Sequence, residues 1–309
     1  MRTLVTGAQG FVGLHLVAYF RNCGDEVTAI DRDVDVTKLD QIREAIGTCR
    51  PEVIIHLAAW ADVGGSWTNS AECMRVNVGG TANVLAAARE LAPESTTLVV
   101  SSSDVYGVVS EDNLPLHETW PPVPVSPYAQ SKLEAERIAL DDWRSTGQRI
   151  VIARPFNHLG PGQSTSFVAP ALASRLIEAR SSGQKEIAVG DLTTRRDFCD
   201  VRDVVRAYRL LAEYGRAGQT YHVASGQDVA LSDVAKQLVE LIAPQMMLRL
   251  DQALVRPVEV PVLRGSFAKL HDETGWEPSL PLALSLADVA ADAEQRFRNG
   301  HENPSEHRK

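Results

Sequence analysis

Cysteine is scarce in this 309-residue chain: Cys23, Cys49, Cys73 and Cys199 are its only four, and they lack paired or metal-type spacing. Reduced thiols acting as packing residues, with no bound metal, are therefore expected, in a reducing compartment. Long apolar runs are absent too. Stretches such as Val53-Ile54-Ile55-His56-Leu57-Ala58-Ala59-Trp60 fall far short of the roughly 20 residues that cross a bilayer, so no membrane span is expected. Basic charge is in deficit: 31 Lys and Arg against 40 Asp and Glu leave a formal net charge of −9, which argues against a nucleic-acid surface. No basic stretch and apolar core lead the chain, because Arg2 runs almost directly into a glycine loop, so a cytoplasmic location is expected. Internal repeats and low-complexity tracts are also missing.

What is present is a core-forming sequence, 44% hydrophobic, that opens with Thr6-Gly7-Ala8-Gln9-Gly10-Phe11-Val12-Gly13 after the apolar pair Leu4-Val5. Glycines at this spacing let a chain turn sharply, bring bare backbone against a pyrophosphate and pack the next helix closely on its strand. Phe11 to Phe20 reads as the helix and Glu26 to Asp31 as the next strand, which makes the unit β-α-β and favours a dinucleotide site over an unliganded turn. Further along, Leu39 to Cys49 reads as a helix, Val53 to Leu57 as a strand buried on both faces, Ser70 to Leu91 as a long helix and Thr96 to Ser101 as a strand. Ser126 to Thr146 reads as a helix and Arg149 to Ala153 as a strand. This alternation predicts an α/β fold, a doubly wound parallel sheet of the Rossmann kind, with its ligand crevice at the carboxyl ends of the strands.

Beyond Arg154-Pro155 the chain becomes rich in Pro and Gly, with shorter helices near 168–181, 201–214, 231–242 and 282–297. Residues 1–155 plus about 199–223 are expected to form the dinucleotide-binding domain, because 201–214 and 220–223 look like one more helix and strand of the sheet. Residues about 156–198 plus 224–300 would form a smaller, interleaved substrate-binding domain, and 301–309 a frayed tail. Arg195, Arg196, Arg202, Arg206 and Arg209 crowd one stretch, either as an anion site or as a salt-bridged helix.

Tyr128-Ala129-Gln130-Ser131-Lys132 puts a phenol and an ammonium four residues apart on one helix face. A phenol with a pKa near 10 exchanges protons poorly at neutral pH, and a neighbouring lysine cation with an oxidised nicotinamide would lower that value. Tyr128 could then exchange a proton with a carbonyl or alcohol oxygen while hydride moves at the attached carbon. The strand before it ends in Ser101-Ser102-Ser103-Asp104-Val105-Tyr106-Gly107, where Ser102 is placed to hold the same oxygen; strand-end capping is the alternative for these serines. Asp31, closing the second strand, suits a ribose diol and leans toward NADH, although Arg32 beside it blurs NADH against NADPH.

These motifs, with His56-Leu57-Ala58-Ala59, Asn77-Val78-Gly79-Gly80-Thr81 and Arg154-Pro155-Phe156-Asn157, resemble the extended short-chain dehydrogenase/reductases that act on nucleotide sugars, the NAD-dependent epimerase/dehydratase family. The resemblance implies a catalytic triad of Ser102, Tyr128 and Lys132, with Asn77 supporting the site. It implies cofactor contacts at Gly7, Gln9, Gly10, Phe11, Val12, Gly13, Asp31, Arg32, Leu57, Ala58 and Ala59, with Asp35 and Val36 beside the adenine. Phe156 to Gln163, Arg196-Asp197-Phe198 and Arg256-Pro257-Val258-Glu259-Val260 are similar to the bacterial GDP-4-keto-6-deoxy-D-mannose reductases within it. On that similarity Asn157 touches a diphosphate, Arg196 and Arg256 neutralise its oxygens, Glu259 accepts from a ribose, and Ser102, Ser103 and Asp104 face the sugar.

The implied reaction is NADH- or NADPH-dependent reduction of a GDP-linked 4-keto-6-deoxy-hexose at C4, by a homodimer joined through its long helices. A 4,6-dehydratase is the nearest rival, but it needs a further carboxylate base, for which Asp104 is one methylene shorter than the family's glutamate. An epimerase-reductase would need a second acid/base pair, and an idle dinucleotide sensor would have no need of the intact triad. Trp60 and Trp67 could pack on the hexose or in the core, and His158 reads as a hydrogen-bonded structural residue.

Overall fold

Leu4 and Val5, and again Ile54 and Ile55, are adjacent apolar pairs whose side chains point to opposite faces of a strand, so both faces must be covered. The computed structural model, which describes residues 1–254 and 260–302, covers them with helices. The first part of the chain runs β1 (Arg2–Thr6), α1 (Phe11–Asn22), β2 (Glu26–Ile30), α2 (Leu39–Cys49), β3 (Val53–His56), α3 (Ser70–Met74), a π turn (Arg75–Gly79), α4 (Gly80–Leu91), β4 (Thr96–Val100), α5 (Pro127–Thr146) and β5 (Ile150–Pro155). It continues with β6 (Asn157–Leu159), α6 (Val168–Ser181), β7 (Glu186–Val189), β8 (Arg195–Asp200), α7 (Val201–Tyr214), β9 (Thr220–Val223), β10 (Asp228–Ala230), α8 (Leu231–Ile242), β11 (Met247–Leu250), β12 (Val262–Leu263), α9 (Ala268–Thr274) and α10 (Leu282–Glu302).

Among the described residues one sheet has six parallel strands in the order β2-β1-β3-β4-β5-β9. Strand order reverses between β1 and β3, which opens a crevice at their carboxyl ends. On one face Val5, Ile55 and Leu98 pack with Leu16 and Phe20 of α1 and Tyr208 and Leu211 of α7. On the other, Leu4 and Ile54 pack with Ile42, Ile46 and Val84, while Val99 and Ile152 meet Leu85 and Ala139. The fold is thus α/β and doubly wound, as the alternation of apolar strands and amphipathic helices predicts.

The remaining strands form β10-β8-β12, with β6 also paired to β8, and a separate β11-β7 pair. Their core is built on α6, α8 and α10 around Leu176, Leu238 and Leu286. The chain crosses back once, when β8 leads through α7 to β9 at the edge of the first sheet. Leu116 N–H to Arg264 O (2.9 Å) and Ser266 N–H to Leu116 O (2.7 Å) stitch the long segment between β4 and α5 to the second lobe.

Two expectations change on contact with the structure. The helix expected over Ser70 to Leu91 is interrupted by the π turn, an extra residue per turn that re-aims the side chains within it. Cys73 and Cys199 are buried but Cys23 is exposed, so packing does not account for Cys23. Of the arginine cluster, Arg195 pairs with Asp228, Arg202 with Asp200 and Asp288, Arg206 with Asp203, and Arg209 with Asp25. Ion pairing rather than an open anion site describes those four. No helix among the described residues is long and apolar enough to cross a membrane.

Candidate active site

The crevice begins at the glycine turn. Gly7 has φ 70°, and a Cβ there would lie 2.7 Å from the Ala58 backbone nitrogen. A Cβ on Gly13 would lie 2.3 Å from Gly7 O, so α1 packs against the strand end only because both positions are bare. Gly10, the residue before α1, would meet nothing but Gly7 O at 3.2 Å, which leaves its outer side open in front of the helix's unpaired N–H groups. This backbone fits a dinucleotide pyrophosphate. Phe11 and Val12 start α1, and Gln9 gives its N–H to Asp31 Oδ2 at 2.8 Å.

Asp31 also accepts from Arg32 N–H through Oδ1 at 3.0 Å, so it braces the turn at the end of β2, with Arg32 exposed beside it. Asp35 Oδ1 accepts from the hydroxyl and the N–H of Thr37 at 2.8 and 2.9 Å, and these bonds hold its carboxyl below the usual carboxylate range. Val36 is buried beside α2 and α4. Leu57, Ala58 and Ala59 leave β3 half-buried along the same crevice, with Ala58 N–H on Thr6 Oγ1 at 3.1 Å.

Across the crevice stands the amino end of α5. Pro127 fits its first turn and Ser126 Oγ caps the Ala129 N–H at 3.1 Å, while spacing of four stacks Tyr128 and Lys132 on one buried face. Lys132 Nζ donates to Val100 O at 2.9 Å and lies 6.0 Å from the centre of the Tyr128 ring. Ser102, just past β4, accepts from Asp104 N–H at 3.2 Å, and its hydroxyl lies close enough to the Tyr128 phenol to draw the phenol's pKa down. Ser103 is buried in the turn that follows and Asp104 is half-buried.

Burial pushes the Tyr128 phenol well above its ordinary value and the Asp104 charge adds to this, with only the Ser102 hydrogen bond opposing. Burial also lowers Lys132, to about 8. Desolvation is the largest influence on each because both groups are shut away from water.

A second layer of hydrogen bonds, not anticipated from the sequence, ties the glycine turn to this helix. Thr6 Oγ1 and His56 Nδ1 are 2.8 Å apart, His56 Nε2 and Thr81 Oγ1 3.2 Å, and Thr81 Oγ1 donates to Asn77 O at 2.6 Å. Since the Thr81 hydroxyl proton is committed to Asn77, His56 carries its proton on Nε2 and accepts from Thr6 at Nδ1. Burial, with the Lys132 charge adding to it, holds this imidazole at about 3. Asn77, in the π turn, accepts Trp60 N–H at 2.7 Å and donates to Ser131 Oγ at 2.8 Å. Beneath α5, Arg154 forks onto both oxygens of Glu136 (2.7 and 2.5 Å) and donates to Tyr106 Oη at 2.7 Å, an arrangement buried throughout.

The structure thus gathers Ser102, Tyr128, Lys132 and Asn77 at the carboxyl ends of β3 and β4, and Gly7 to Gly13 with Asp31, Arg32 and Asp35 across the switch point. On the other lobe Asn157 is exposed at the start of β6, and Arg196 of β8 is half-buried with Nη1 on Arg195 O at 2.8 Å. Arg256 and Glu259 lie outside the described residues. His158 Nδ1 donates to Phe156 O at 3.0 Å and its ring stacks on Phe11 at 6.0 Å and 6°, so it packs one lobe on the other. Trp60 is half-buried with its indole N–H on Asp62 O at 2.9 Å, whereas Trp67 is 57% exposed and so is not a core residue.

Known proteins match this arrangement along nearly its whole length. The model of the NAD dependent epimerase/dehydratase family matches residues 3–224. The chain is 37% identical over 300 residues to the GDP-6-deoxy-D-mannose reductase of Pseudomonas aeruginosa, covering 96% of this chain and 98% of that protein. It is 29% identical over 304 residues to the GDP-6-deoxy-D-talose 4-dehydrogenase of Aggregatibacter actinomycetemcomitans, covering 97% and 98%. The solved structure of RMD from Pseudomonas aeruginosa complexed with NADPH superimposes with a TM-score of 0.88 at 37% identity, covering 96% of this chain and 100% of that one. With the glycine turn, the doubly wound sheet and the Tyr128–Lys132 helix in place, these matches establish that the chain belongs to the NAD dependent epimerase/dehydratase family.

Proposed function

We propose that this enzyme reduces the C4 ketone of GDP-4-keto-6-deoxy-D-mannose to GDP-6-deoxy-D-mannose, with NADPH or NADH as reductant. The end-to-end likeness to the Pseudomonas aeruginosa reductase carries the reading. The protonation of the site agrees with it, because a reduction must start from a protonated acid and burial keeps the Tyr128 phenol in that form. The bound nicotinamide would supply hydride to the carbonyl carbon. Ser102 donates a hydrogen bond to the carbonyl oxygen, and Tyr128 Oη passes its proton to the same oxygen as it becomes the alcohol. Lys132, fixed on Val100 O, puts its positive charge beside the phenolate left behind.

Gly7 to Gly13 would cradle the pyrophosphate, with Asp31, Arg32 and Asp35 at the adenosine end and Leu57 to Ala59 along the crevice. Asn157, Arg196, Arg256 and Glu259 would hold the GDP handle. Residues 1–155 plus about 199–223 are read as the cofactor domain and the remainder as the nucleotide-sugar domain, a division supported by the membership of the two main sheets. A homodimer through the outer faces of α4 and α5 completes the reading; sedimentation as a monomer removes that part alone.

The test mixes the protein with GDP-4-keto-6-deoxy-D-mannose and NADPH or NADH and follows reduced-nicotinamide absorbance. Stoichiometric oxidation is expected. No net oxidation, together with conversion of GDP-mannose to a keto sugar, would instead identify a dehydratase. Proton NMR of the product separates the 6-deoxy-mannose from the 6-deoxy-talose configuration at C4.

A further inference from the structure

The backbone of Tyr128 is clamped at both its N–H and its carbonyl. The N–H is one of the donors that a helix leaves unpaired in its first turn. It is accepted by Ser66 Oγ at 3.2 Å, and Ser66 in turn donates its hydroxyl proton to Val63 O at 2.7 Å. The carbonyl accepts from Ser131 Oγ at 2.7 Å. Ser131 is bound by Asn77, and Asn77 holds the N–H and the carbonyl of Trp60 at 2.7 and 3.2 Å. From Trp60 the chain returns to Ser66 through a stiff turn, in which Asp62 Oδ1 accepts Gly65 N–H at 2.9 Å and Asp62 O accepts Ser66 N–H at 3.1 Å. The result is a closed ring, Trp60–Asn77–Ser131–Tyr128–Ser66, whose last link is a hydroxyl with 0% exposure.

We propose that Ser66 is a positioning residue for Tyr128: its hydroxyl bolts the segment running on from Leu57-Ala58-Ala59 to the backbone of the proton donor, so one rigid ring sets the phenol against the crevice. Nucleophile, cofactor or substrate contact is not part of its role. Misplacement by about 1 Å costs up to about 100-fold in rate, so an unpinned Tyr128 should lose turnover without losing ligand affinity. The kinetic consequence rests on the reductase reading; the pinning does not.

In Ser66→Ala, kcat for reduction of GDP-4-keto-6-deoxy-D-mannose should fall roughly tenfold, while KM for the nucleotide sugar and Kd for NADPH stay within about twofold. Amide exchange in the peptide spanning Pro127 to Lys132 should accelerate, and Ser66→Thr, which keeps the hydroxyl, should restore both kcat and protection. Should Ser66→Ala not fold, Ser66→Cys keeps the volume with a weak acceptor and takes its place. Undiminished kcat, or a lower melting temperature with kcat and exchange both intact, overturns the proposal. If the wild-type chain does not oxidise NADPH with this substrate, the reductase reading fails, and amide exchange at Tyr128 still decides the role of Ser66.

Discussion

Burial acts on Tyr128 and Lys132 in opposite charge senses but toward one end, since it favours the neutral phenol and the neutral amine alike. The phenol therefore stays protonated across the physiological range, while the lysine, at about 8, is the group that changes charge there. If the ammonium is what steadies the phenolate, activity belongs to the protonated lysine and is lost as pH rises through its pKa. kcat/KM for the free enzyme should show a basic limb near 8, and a profile flat through that region would remove Lys132 from the proton-transfer step. Tyr128→Phe should lower kcat by roughly 100-fold or more while NADPH titration gives an unchanged Kd; retained turnover would assign the proton to another group. Both residues were legible in the sequence because their relation is local, four positions on one helix. Ser66, Asn77–Ser131 and Thr6–His56 are related across 62, 54 and 50 positions, so only the assembled fold creates those contacts.

At the scale of elements, the turn from β1 into α1 depends on two missing side chains. A methyl on Gly13 would improve helix propensity by about 1 kcal/mol in isolation. Here it would sit 2.3 Å from Gly7 O and 2.7 Å from the Ala8 carbonyl carbon, and backbone cannot swing aside as a side chain can. The clash decides the sign: Gly13→Ala should weaken NADPH binding by roughly tenfold or more and lower the melting temperature, both measurable by a thermal shift series with cofactor. Intact affinity would show that α1 can slide off its strand without harm to the cradle. The long helices were legible for a related reason, since three or more turns of apolar periodicity leave little choice, and 168–181, 201–214 and 231–242 form over the expected residues. The π turn was not, because its extra residue is imposed by Asn77 reaching Trp60 and Ser131 rather than by local preference. β6, β10 and β12, of two or three residues, carry too little alternation to register and exist by pairing with β8, while β7, β8 and β11, of four to six residues, were not anticipated either.

For the whole molecule, the buried titratable groups set how the fold responds to acid. His56 lies beneath the cofactor crevice and His222 at the edge strand β9, where its ring meets Tyr106 Oη at 2.5 Å beside the Arg154–Glu136 pair. Burial holds each at about 3 against an ordinary 6.5, and the Lys132 and Arg154 charges push them the same way. Between those values the unfolded chain binds protons that the folded one refuses, so stability falls as pH drops below 6.5. Asp197, raised by burial to about 6 from 3.8, works against this, because over that interval the folded state is the one that takes the proton. His158, lowered by burial as well, acts in the same direction as His56 and His222, and together the histidines outweigh one carboxyl with a narrow interval. Chemical denaturation should therefore show a loss of roughly 2–3 kcal/mol between about pH 7 and about pH 5, with the slope reduced in His222→Gln. Stability that stays level over that range, or rises, would mean that one of these imidazoles is charged inside the fold; if His222→Gln still alters the slope, it is not His222, and where it is His56 its tautomer between Thr6 and Thr81 would have to be given up.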